Sequence, residues 1–428
     1  MQEKNIFPYA KNYIMVHPNA LDPDRLTLIS EMLLEALESI IITHRHADKE
    51  LQTLLKTNDL SGIEKEFLVV TLYDMLRNVR LLQAVAQTPG FNSYVYTAWL
   101  ALRNYPANSN VIPEHFEAMQ ARAVELSKNR AVKYSIPDWL DALGVQELGE
   151  EVWEREIAAL HTPAQAVIRT NLLKTTRQEL LRNFKTMRID AKPLVDLECG
   201  IVLSSSAGIF KTDEFQDGHF EMQDANSQMI APLTGVKPKM RVIDACAGAG
   251  GKTLQLAQIM NNKGKIIALD TSEKKLEALR QRAARAGVSI IEPRQITSTK
   301  TIKRLKESAD MVLIDAPCTG LGVLRRNPEA KYNLKPEHVE SLHKQQQDLL
   351  VSYSRMTKPT GTLVYSVCSI LPSEGEAQAR TFVESHPEWR LESERRFSPA
   401  TDGFDGFYVA LFKRNEVKTE PAQTPITS

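Results

Sequence analysis

The apolar positions of this chain recur at two different spacings, and the change between them divides the sequence. From residue 22 to about residue 130 they recur at helical spacing, as at Leu26, Ile29 and Leu33. Glycine, which interrupts helices, is scarce in the same stretch. The pattern predicts an all-helical N-terminal domain, which we place at residues 1–135.

After residue 165 the pattern changes to short apolar runs around one helical run. Residues 167–171 and 200–204 are typical of strands, and residues 176–187 are typical of a helix between them. These elements predict a small α+β module, which we place at residues 136–225.

From about residue 240 onward, strand and helix patterns alternate. The predicted strands are 241–245, 265–270, 310–315 and 362–367, with helical patterns between them. This alternation indicates βαβ units and a mainly parallel sheet, and so a Rossmann-like α/β domain at residues 226–414. The polar tail, residues 415–428, is predicted to be disordered.

Composition narrows the class of protein. Lys plus Arg equals Asp plus Glu at 53 each, so any basic surface for nucleic acid must be local. No apolar stretch approaches the roughly 20 residues of a membrane span, and the N-terminus lacks the layout of a signal peptide. We therefore expect a cytoplasmic protein. The four cysteines are far apart and form no CxxC, which argues against a zinc site or a disulfide framework.

A glycine-rich loop follows the predicted strand at 241–245 and opens a helix. It reads Cys246-Ala247-Gly248-Ala249-Gly250-Gly251-Lys252-Thr253. A phosphate loop requires glycine at position 246, and a dinucleotide fingerprint requires glycine or alanine at position 253, so neither pattern is met. Asp270 ends the next predicted strand about 20 residues on, where an acidic residue binds a ribose diol. The pattern predicts a nucleoside-type site formed by residues 246–252 and Asp270. S-adenosylmethionine fits it best, because it has a ribose and a carboxylate but no phosphate.

Three of the four cysteines, Cys246, Cys318 and Cys368, lie at or just past the end of an apolar run predicted to be a strand. In open α/β sheets, ligands bind outside the carboxyl ends of the strands. A lone cysteine is more often a small buried hydrophobe than a nucleophile, and we expect that of Cys199. Several cysteines at one sheet edge instead favour thiolate chemistry.

Five segments, in this order, resemble the motifs of the Nop/Sun family of RNA cytosine-5 methyltransferases. They are Met222-Gln-Asp-Ala-Asn-Ser-Gln228, the glycine loop, Asp315-Ala-Pro-Cys318-Thr-Gly-Leu-Gly322 with Arg325-Arg326-Asn-Pro328, Val364-Tyr-Ser-Val-Cys368-Ser-Ile370, and Gly403-Phe-Asp-Gly-Phe-Tyr408. The resemblance covers roughly residues 165–414. Residues 47–77 more weakly resemble the NusB-like helical domain of the bacterial small-subunit ribosomal RNA methyltransferases in that family.

The resemblance implies an enzyme that uses S-adenosylmethionine to methylate carbon 5 of a cytosine in RNA. The substrate that the resemblance favours is 16S ribosomal RNA. Cytosine C5 is a poor nucleophile, so a thiolate first adds to C6. The resemblance implies Cys368 as that nucleophile and Cys318 as the residue that assists release. Asp315 is implied to bind the N3 and amino edge of the base and to line the cofactor site.

The resemblance also suggests contacts to RNA and cofactor. Arg326, Lys331, Arg169 and Asn171 are candidates for binding RNA. Whether Lys252, Arg326 or Lys331 meets the cofactor carboxylate, a phosphate or the base stays open. In the segment Gln295-Ile296-Thr297-Ser298 the family commonly has an aspartate that holds the adenine amino group. Thr297 or Ser298 can accept one hydrogen bond but carries no charge, so we expect weaker cofactor binding than is usual in the family.

Two alternatives remain open at this point. A DNA cytosine-5 methyltransferase would use the cysteine of the Asp315 segment, Cys318, as its nucleophile, so the roles of the two thiols would differ. A non-catalytic RNA-binding assembly factor would keep the fold without the chemistry. The intact pair of Cys318 and Cys368 argues against this second alternative, and the altered position Thr297 argues weakly for it.

Overall fold

The computed structural model describes residues 16–105, 113–206 and 208–415. Residues 416–428, and with them nearly all of the tail expected to be disordered, lie outside this range. In these ranges no helix is both long enough and apolar enough to cross a membrane. The chain divides into two compact units. The first comprises Met1–Ala164, Thr319–Glu340 and Ser398–Gly403, and the second comprises Gln165–Cys318, Ser341–Phe397 and Phe404–Ser428.

The helices and strands follow one another along the chain in the predicted order of a helical part, a mixed part and an alternating part. The helices are α1 Pro23–Ile42, α2 Ala47–Thr57, α3 Gly62–Ala86, α4 Ser93–Leu102, α5 Pro113–Leu126, α6 Arg130–Lys133, α7 Asp138–Leu148, α8 Glu150–Leu160, α9 Arg177–Thr186, α10 Asp213–Gln216, α11 Ala225–Leu233, α12 Gly251–Ile259, α13 Glu273–Ala286, α14 Thr299–Lys303, α15 Ala330–Asn333, α16 Pro336–Ser354, α17 Glu376–Ser385 and α18 Pro399–Asp402. The strands are β1 Ala166–Thr170, β2 Ala191–Pro193, β3 Gly200–Leu203, β4 Phe220–Met222, β5 Arg241–Asp244, β6 Lys265–Asp270, β7 Ile291–Gln295, β8 Ala309–Asp315, β9 Thr357–Val367, β10 Trp389–Phe397 and β11 Phe407–Arg414.

The first unit is all-helical, as the apolar spacing predicts. Its longest helix, α3, starts at a capping box in which Ser61 and Glu64 satisfy each other's backbone N–H groups. Leu33, Phe67 and Trp99 are fully or almost fully buried where α1, α3 and α4 pack together. Helices α7 and α8 also belong to this unit, and the boundary predicted at residues 135/136 stays a prediction. The short helices α15 and α18 join the unit from distant parts of the sequence.

The second unit contains the predicted α+β module as a four-stranded sheet with strand order β2-β3-β1-β4. Its strands pair antiparallel. Helix α9 packs on one face, where Ile168, Phe184 and Phe220 are fully buried. The α+β character of the module is therefore confirmed.

The larger sheet of the same unit has strand order β10-β11-β9-β8-β5-β6-β7 within the described residues. Strands β5 to β9 pair in parallel, and β10 and β11 add an antiparallel edge. The apolar runs of the central strands are buried on both faces, as a parallel sheet covered by helices requires. The strand order reverses between β5 and β8, and in open α/β sheets ligands bind at such a switch point.

The glycine loop at the end of β5 requires glycine for two different reasons. Gly250 has a φ of +88°, and a Cβ built on it would overlap the Leu279 side chain of α13. Gly248 also has a positive φ, +54°, but no atom lies within 4 Å of a Cβ built on it. Backbone conformation therefore constrains both positions, whereas close packing constrains Gly250 alone.

We expect Gly250→Ala to destabilise the protein by about 2–5 kcal/mol, because the cost of a left-handed backbone conformation and the cost of overpacking against Leu279 add together. Gly248→Ala is the matched control and should cost only about 1–2 kcal/mol, the backbone contribution alone. Urea unfolding of the two variants measures the difference. Equal destabilisation would show that the Leu279 contact does not determine the residue at position 250.

Candidate active site

The sulfur atoms of Cys318 and Cys368 lie 3.3 Å apart. Strands β8 and β9 are parallel neighbours in which Asp315 pairs with Ser366, and the two cysteines come just past this point on each strand. The Ala316 N–H donates to the Ser366 carbonyl at 2.8 Å and extends the pairing toward the thiols. Both cysteines are half-buried free thiols. The structure thus brings together the two thiols that the sequence singled out.

A half-buried ion pair lies at the same edge of the sheet. The Lys252 ammonium is 2.8 Å from Asp315 Oδ2 and 5.1 Å from the centre of the Phe407 ring. Burial acts to lower the pKa of Lys252, but the negative charges of Asp315 and Cys368 outweigh it and raise that pKa above its usual value. Lys252 therefore stays charged at neutral pH.

The glycine loop and Asp270 form the geometry expected of a nucleoside site. Asp270 Oδ2 accepts from the Gly248 N–H at 2.9 Å, and Oδ1 accepts from the Ser272 N–H at 2.8 Å. These bonds orient the carboxylate and leave lone pairs for further donors such as ribose hydroxyls. The space beside Gly248 is open, and the loop leads into the N-terminus of α12. These residues fit S-adenosylmethionine.

Two arginines hold the loop through its carbonyl oxygens. Arg169, from β1, donates to the Gly251 carbonyl at 2.9 Å and to the side chain of Gln223. Arg282, from α13, donates to the Ala249 carbonyl at 2.7 Å. Burial lowers the pKa of Arg169 to about 10. Arg282 has no sequence signal, because it lies among other charged residues on a polar helix.

Three of the four residues predicted to contact RNA are buried and bonded to the protein itself. Arg169 holds the loop, and Asn171 Nδ2 donates to the carbonyls of Gly218 and Ala286, both at 2.9 Å. In the helical unit, Lys331 is 3% exposed and its ammonium donates to two backbone carbonyls, those of Arg77 and Tyr134. The RNA role of Arg169, Asn171 and Lys331 stays a prediction, and these contacts argue against it, since donors already bonded in the interior are not offered to a phosphate. Arg326 is half-buried.

The remaining candidate residues are two cysteines and a threonine, and they differ in how deeply they are buried. Burial raises the pKa of Cys246 well above that of an ordinary thiol, so it stays protonated and has a packing role beneath the loop. Cys199 is buried and contacts the Gln228 side-chain oxygen at 3.8 Å. Thr297 is exposed just past β7. Neither Cys246 nor Cys199 therefore meets the requirements for a nucleophile.

The first and last of the five motifs meet in the fold. Asn226 Nδ2 donates to the Asp405 carbonyl at 2.9 Å, and the Asp405 N–H donates to Asp224 Oδ2 at 3.4 Å. Phe407, just beyond, is the ring that Lys252 contacts. Segments far apart in sequence therefore converge on one site.

A Rossmann-like sheet with a nucleoside loop at its switch point, and a thiol pair beside it, defines a class I S-adenosylmethionine-dependent methyltransferase. The chain matches the family model "16S rRNA methyltransferase RsmB/F" over residues 233–413 and the ferredoxin-like domain of RsmF/B-like methyltransferases over residues 136–209. The chain belongs to this RsmB/F family of methyltransferases.

Individual relatives agree with the family models. The chain is 32% identical over 300 residues to a probable ribosomal RNA small subunit methyltransferase B of Synechocystis, covering 66% of this chain and 67% of the relative. It is 26% identical over an alignment of 446 residues to the probable Bacillus subtilis enzyme of the same name, covering 91% and 99%. It is 30% identical over 336 residues to the human 28S rRNA (cytosine(4447)-C(5))-methyltransferase, covering 70% and 40%. A methyltransferase homologue of Pyrococcus horikoshii has a similar structure, with a TM-score of 0.59, 26% identity and coverage of 67% and 98%.

One buried carboxyl group at the end of β5 was not singled out from the sequence. Asp244 is 1% exposed; its Oδ2 accepts from the Thr253 hydroxyl at 2.7 Å, and its Oδ1 has no hydrogen-bond partner within the described ranges. Burial raises the pKa of Asp244 to about 7, although the bond from Thr253 opposes the shift. At neutral pH this group is therefore only partly ionised.

Because its pKa is raised on folding, Asp244 stabilises the folded state below about pH 4, and this contribution is lost as the pH rises toward 7. Asp244→Asn keeps an acceptor for Thr253 and cannot ionise. Relative to wild type, this variant should gain on the order of 2–4 kcal/mol in the free energy of unfolding between pH 4 and 8. Urea unfolding across that range measures it.

Asp310→Asn is the control, because that carboxylate pairs with the Lys358 ammonium at 2.6 Å and its loss should cost stability above pH 4. A pH-independent difference between wild type and Asp244→Asn would contradict the raised pKa.

Proposed function

We propose that this chain transfers a methyl group from S-adenosylmethionine to carbon 5 of a cytosine in RNA, with 16S ribosomal RNA as substrate. The observation that carries the proposal is the pair of sulfurs of Cys318 and Cys368, 3.3 Å apart beside the ion pair of Lys252 and Asp315. Family membership and the relatives named for ribosomal RNA or cytosine C5 methylation support the substrate.

Cys368 is the nucleophile in this proposal. Its thiolate, near the Lys252 ammonium, forms a bond from sulfur to C6 of the cytosine. The electron pair displaced toward C5 makes that carbon nucleophilic. When bound, S-adenosylmethionine supplies an electrophilic methyl group. Asp315 binds the N3 and amino edge of the base and, paired with Lys252, is fixed in orientation.

Cys318 acts in release. After C5 is methylated, its proton leaves and the returning electron pair expels the Cys368 sulfur from C6, which restores the aromatic base and the free thiolate. The Cys318 sulfur lies 3.3 Å from the Cys368 sulfur, so it reaches the same edge of a base that is bonded to Cys368. Two thiols with unequal roles account for the presence of both at adjacent strand ends of this chain.

The RNA must present its cytosine outside a base-paired stack. Enzymes that act on a base turn it out of the helix or take it from a single strand. We assign the substrate-positioning role to the helical domain, residues 1–135, and to the module, residues 136–225, with the catalytic domain at residues 226–414. The charge balance of the chain implies that the binding surface is local.

The thiol roles predict opposite phenotypes for two alanine variants. With labelled cofactor and ribosomal RNA, Cys368→Ala should transfer no methyl group. Cys318→Ala should form the C6 bond but release it slowly, so that a covalent protein–RNA adduct accumulates on a denaturing gel. Cys199→Ala, a buried thiol of the module, is the matched control and should behave like wild type.

The same gel separates the alternatives. An adduct that requires Cys318 and forms on DNA favours the DNA methyltransferase arrangement. Absence of methyl transfer from wild type to either nucleic acid supports the non-catalytic assembly factor and overturns the proposal.

Because Thr297 carries no charge at the predicted adenine position, introducing a carboxylate there should raise the affinity for the cofactor. Thr297→Asp should tighten S-adenosylmethionine binding by about tenfold, because a charged acceptor strengthens a hydrogen bond to the adenine amino group. Asp270→Asn should weaken binding. Isothermal titration calorimetry measures both. No binding to wild type at millimolar cofactor would overturn the cofactor assignment, and a loss of affinity in Thr297→Asp would remove Thr297 from the site.

A further inference from the structure

One buried amide bridges the two loops that carry the thiols. Gln346 of α16 is fully buried. Its Nε2 donates to the Pro317 carbonyl, which belongs to the peptide leading into Cys318, at 3.0 Å. The same nitrogen donates to Glu374 Oε1, in the loop that follows Cys368, also at 3.0 Å. All of these residues lie in the second unit.

The sheet alone does not hold the sulfurs together. Strand β8 ends at Asp315 and β9 ends at Val367, so both cysteines lie beyond the last residues of their strands. The bond from the Ala316 N–H to Ser366 reaches no further than the start of the Cys318 loop. Past it, the Pro317–Cys318 peptide needs another partner to fix its position, and Gln346 provides one.

The Glu374 end of the bridge is itself fixed. Glu374 is fully buried, its carbonyl accepts from the Tyr365 hydroxyl at 2.8 Å, and its N–H donates to the Leu371 carbonyl at 3.2 Å. Tyr365 lies in β9, whose last residues lead directly to Cys368. The bridge therefore connects the Cys318 loop to a rigid part of the neighbouring strand and its loop.

We propose that Gln346 is a positioning residue that holds the Cys318 sulfur next to the Cys368 sulfur, and so sets the rate of release of the methylated base. The role of Gln346 in release rests on the proposed function, whereas its role in holding the two sulfurs close does not depend on that function.

The chemistry of the contact explains why the residue is glutamine. The site requires two N–H donors on one atom, because both partners are acceptors. Glutamate offers no donor and would place a second carboxylate beside Glu374. Methionine has a similar size and no donor, so Gln346→Met removes the bridge with little change in volume.

The distance is tested without any substrate. Diamide, a diazene oxidant, takes two electrons and two protons from a pair of close thiols and leaves a disulfide. In the wild type, two thiols should become resistant to alkylation, because one Cys318–Cys368 disulfide forms. Mass spectrometry under denaturing conditions locates this disulfide. Gln346→Met should form it about tenfold more slowly, the effect on the close state of losing the hydrogen bond to the Pro317 carbonyl.

The neighbouring Gln347 provides the matched control. Its Nε2 also donates to a carbonyl and a side-chain oxygen, both of Gln378, at 2.9 and 2.7 Å, but touches neither cysteine loop. Gln347→Met should therefore crosslink at the wild-type rate. If Gln346→Met fails to fold, Gln346→Asn, which keeps the amide but is too short to reach both acceptors, takes its place.

The second measurement is the rate of methyl transfer to RNA, together with the accumulation of the covalent protein–RNA adduct. In Gln346→Met, turnover should fall about tenfold with the KM for S-adenosylmethionine unchanged, and the covalent adduct should accumulate as in Cys318→Ala. Unchanged crosslinking in a folded Gln346 variant would overturn the proposal, and so would slow turnover without adduct. If wild type methylates no RNA, the proposed function fails while the crosslinking comparison still decides the role of Gln346.

Discussion

The parallel pairing of β8 with β9 is the constraint on which the site depends. The pairing of Asp315 with Ser366 aligns the carboxyl ends of the two strands, and a cysteine follows shortly after each end. A shift of one residue in this register would turn every side chain of one strand to the opposite face, so the buried apolar runs of both strands hold the register in place. The core of the sheet therefore brings the two reactive atoms to the same edge, and the loops beyond the strands set the remaining distance between them.

Around the thiols and the cofactor loop, the protein fixes charged side chains and backbone dipoles through its own hydrogen bonds. Lys252 and Asp315 form an ion pair, and the Lys252 ammonium is also close enough to Cys368 for an electrostatic interaction. Asp270 is held by N–H groups from two loops, and the carbonyls of the glycine loop are held by Arg169 and Arg282. Groups fixed in this way need not reorganise when charge develops during a reaction.

The sequence predicts much of this, and its failures have physical causes. Continuous apolar runs revealed β5, β6, β8 and the second half of β9, because strands buried on both faces have no polar side. Strands β7 and β10 have few apolar residues, since they lie at the sheet edges, and they were missed. Lys331 illustrates the other limit: a cationic residue inside a motif suggests RNA, yet backbone carbonyls hold it in the interior. Gln346 and Asp244 gave no signal, because a bridge between loops or a buried carboxyl group depends on neighbours distant in sequence.

The central claim is that Cys368, and not Cys318, bonds to the base. Substrate RNA carrying 5-fluorocytosine tests it most directly, because fluorine at C5 cannot leave as a proton does and the enzyme stays attached. After digestion, mass spectrometry identifies the peptide joined to the modified nucleotide. We expect the peptide that contains Cys368. Attachment at Cys318, or at neither cysteine, would contradict it.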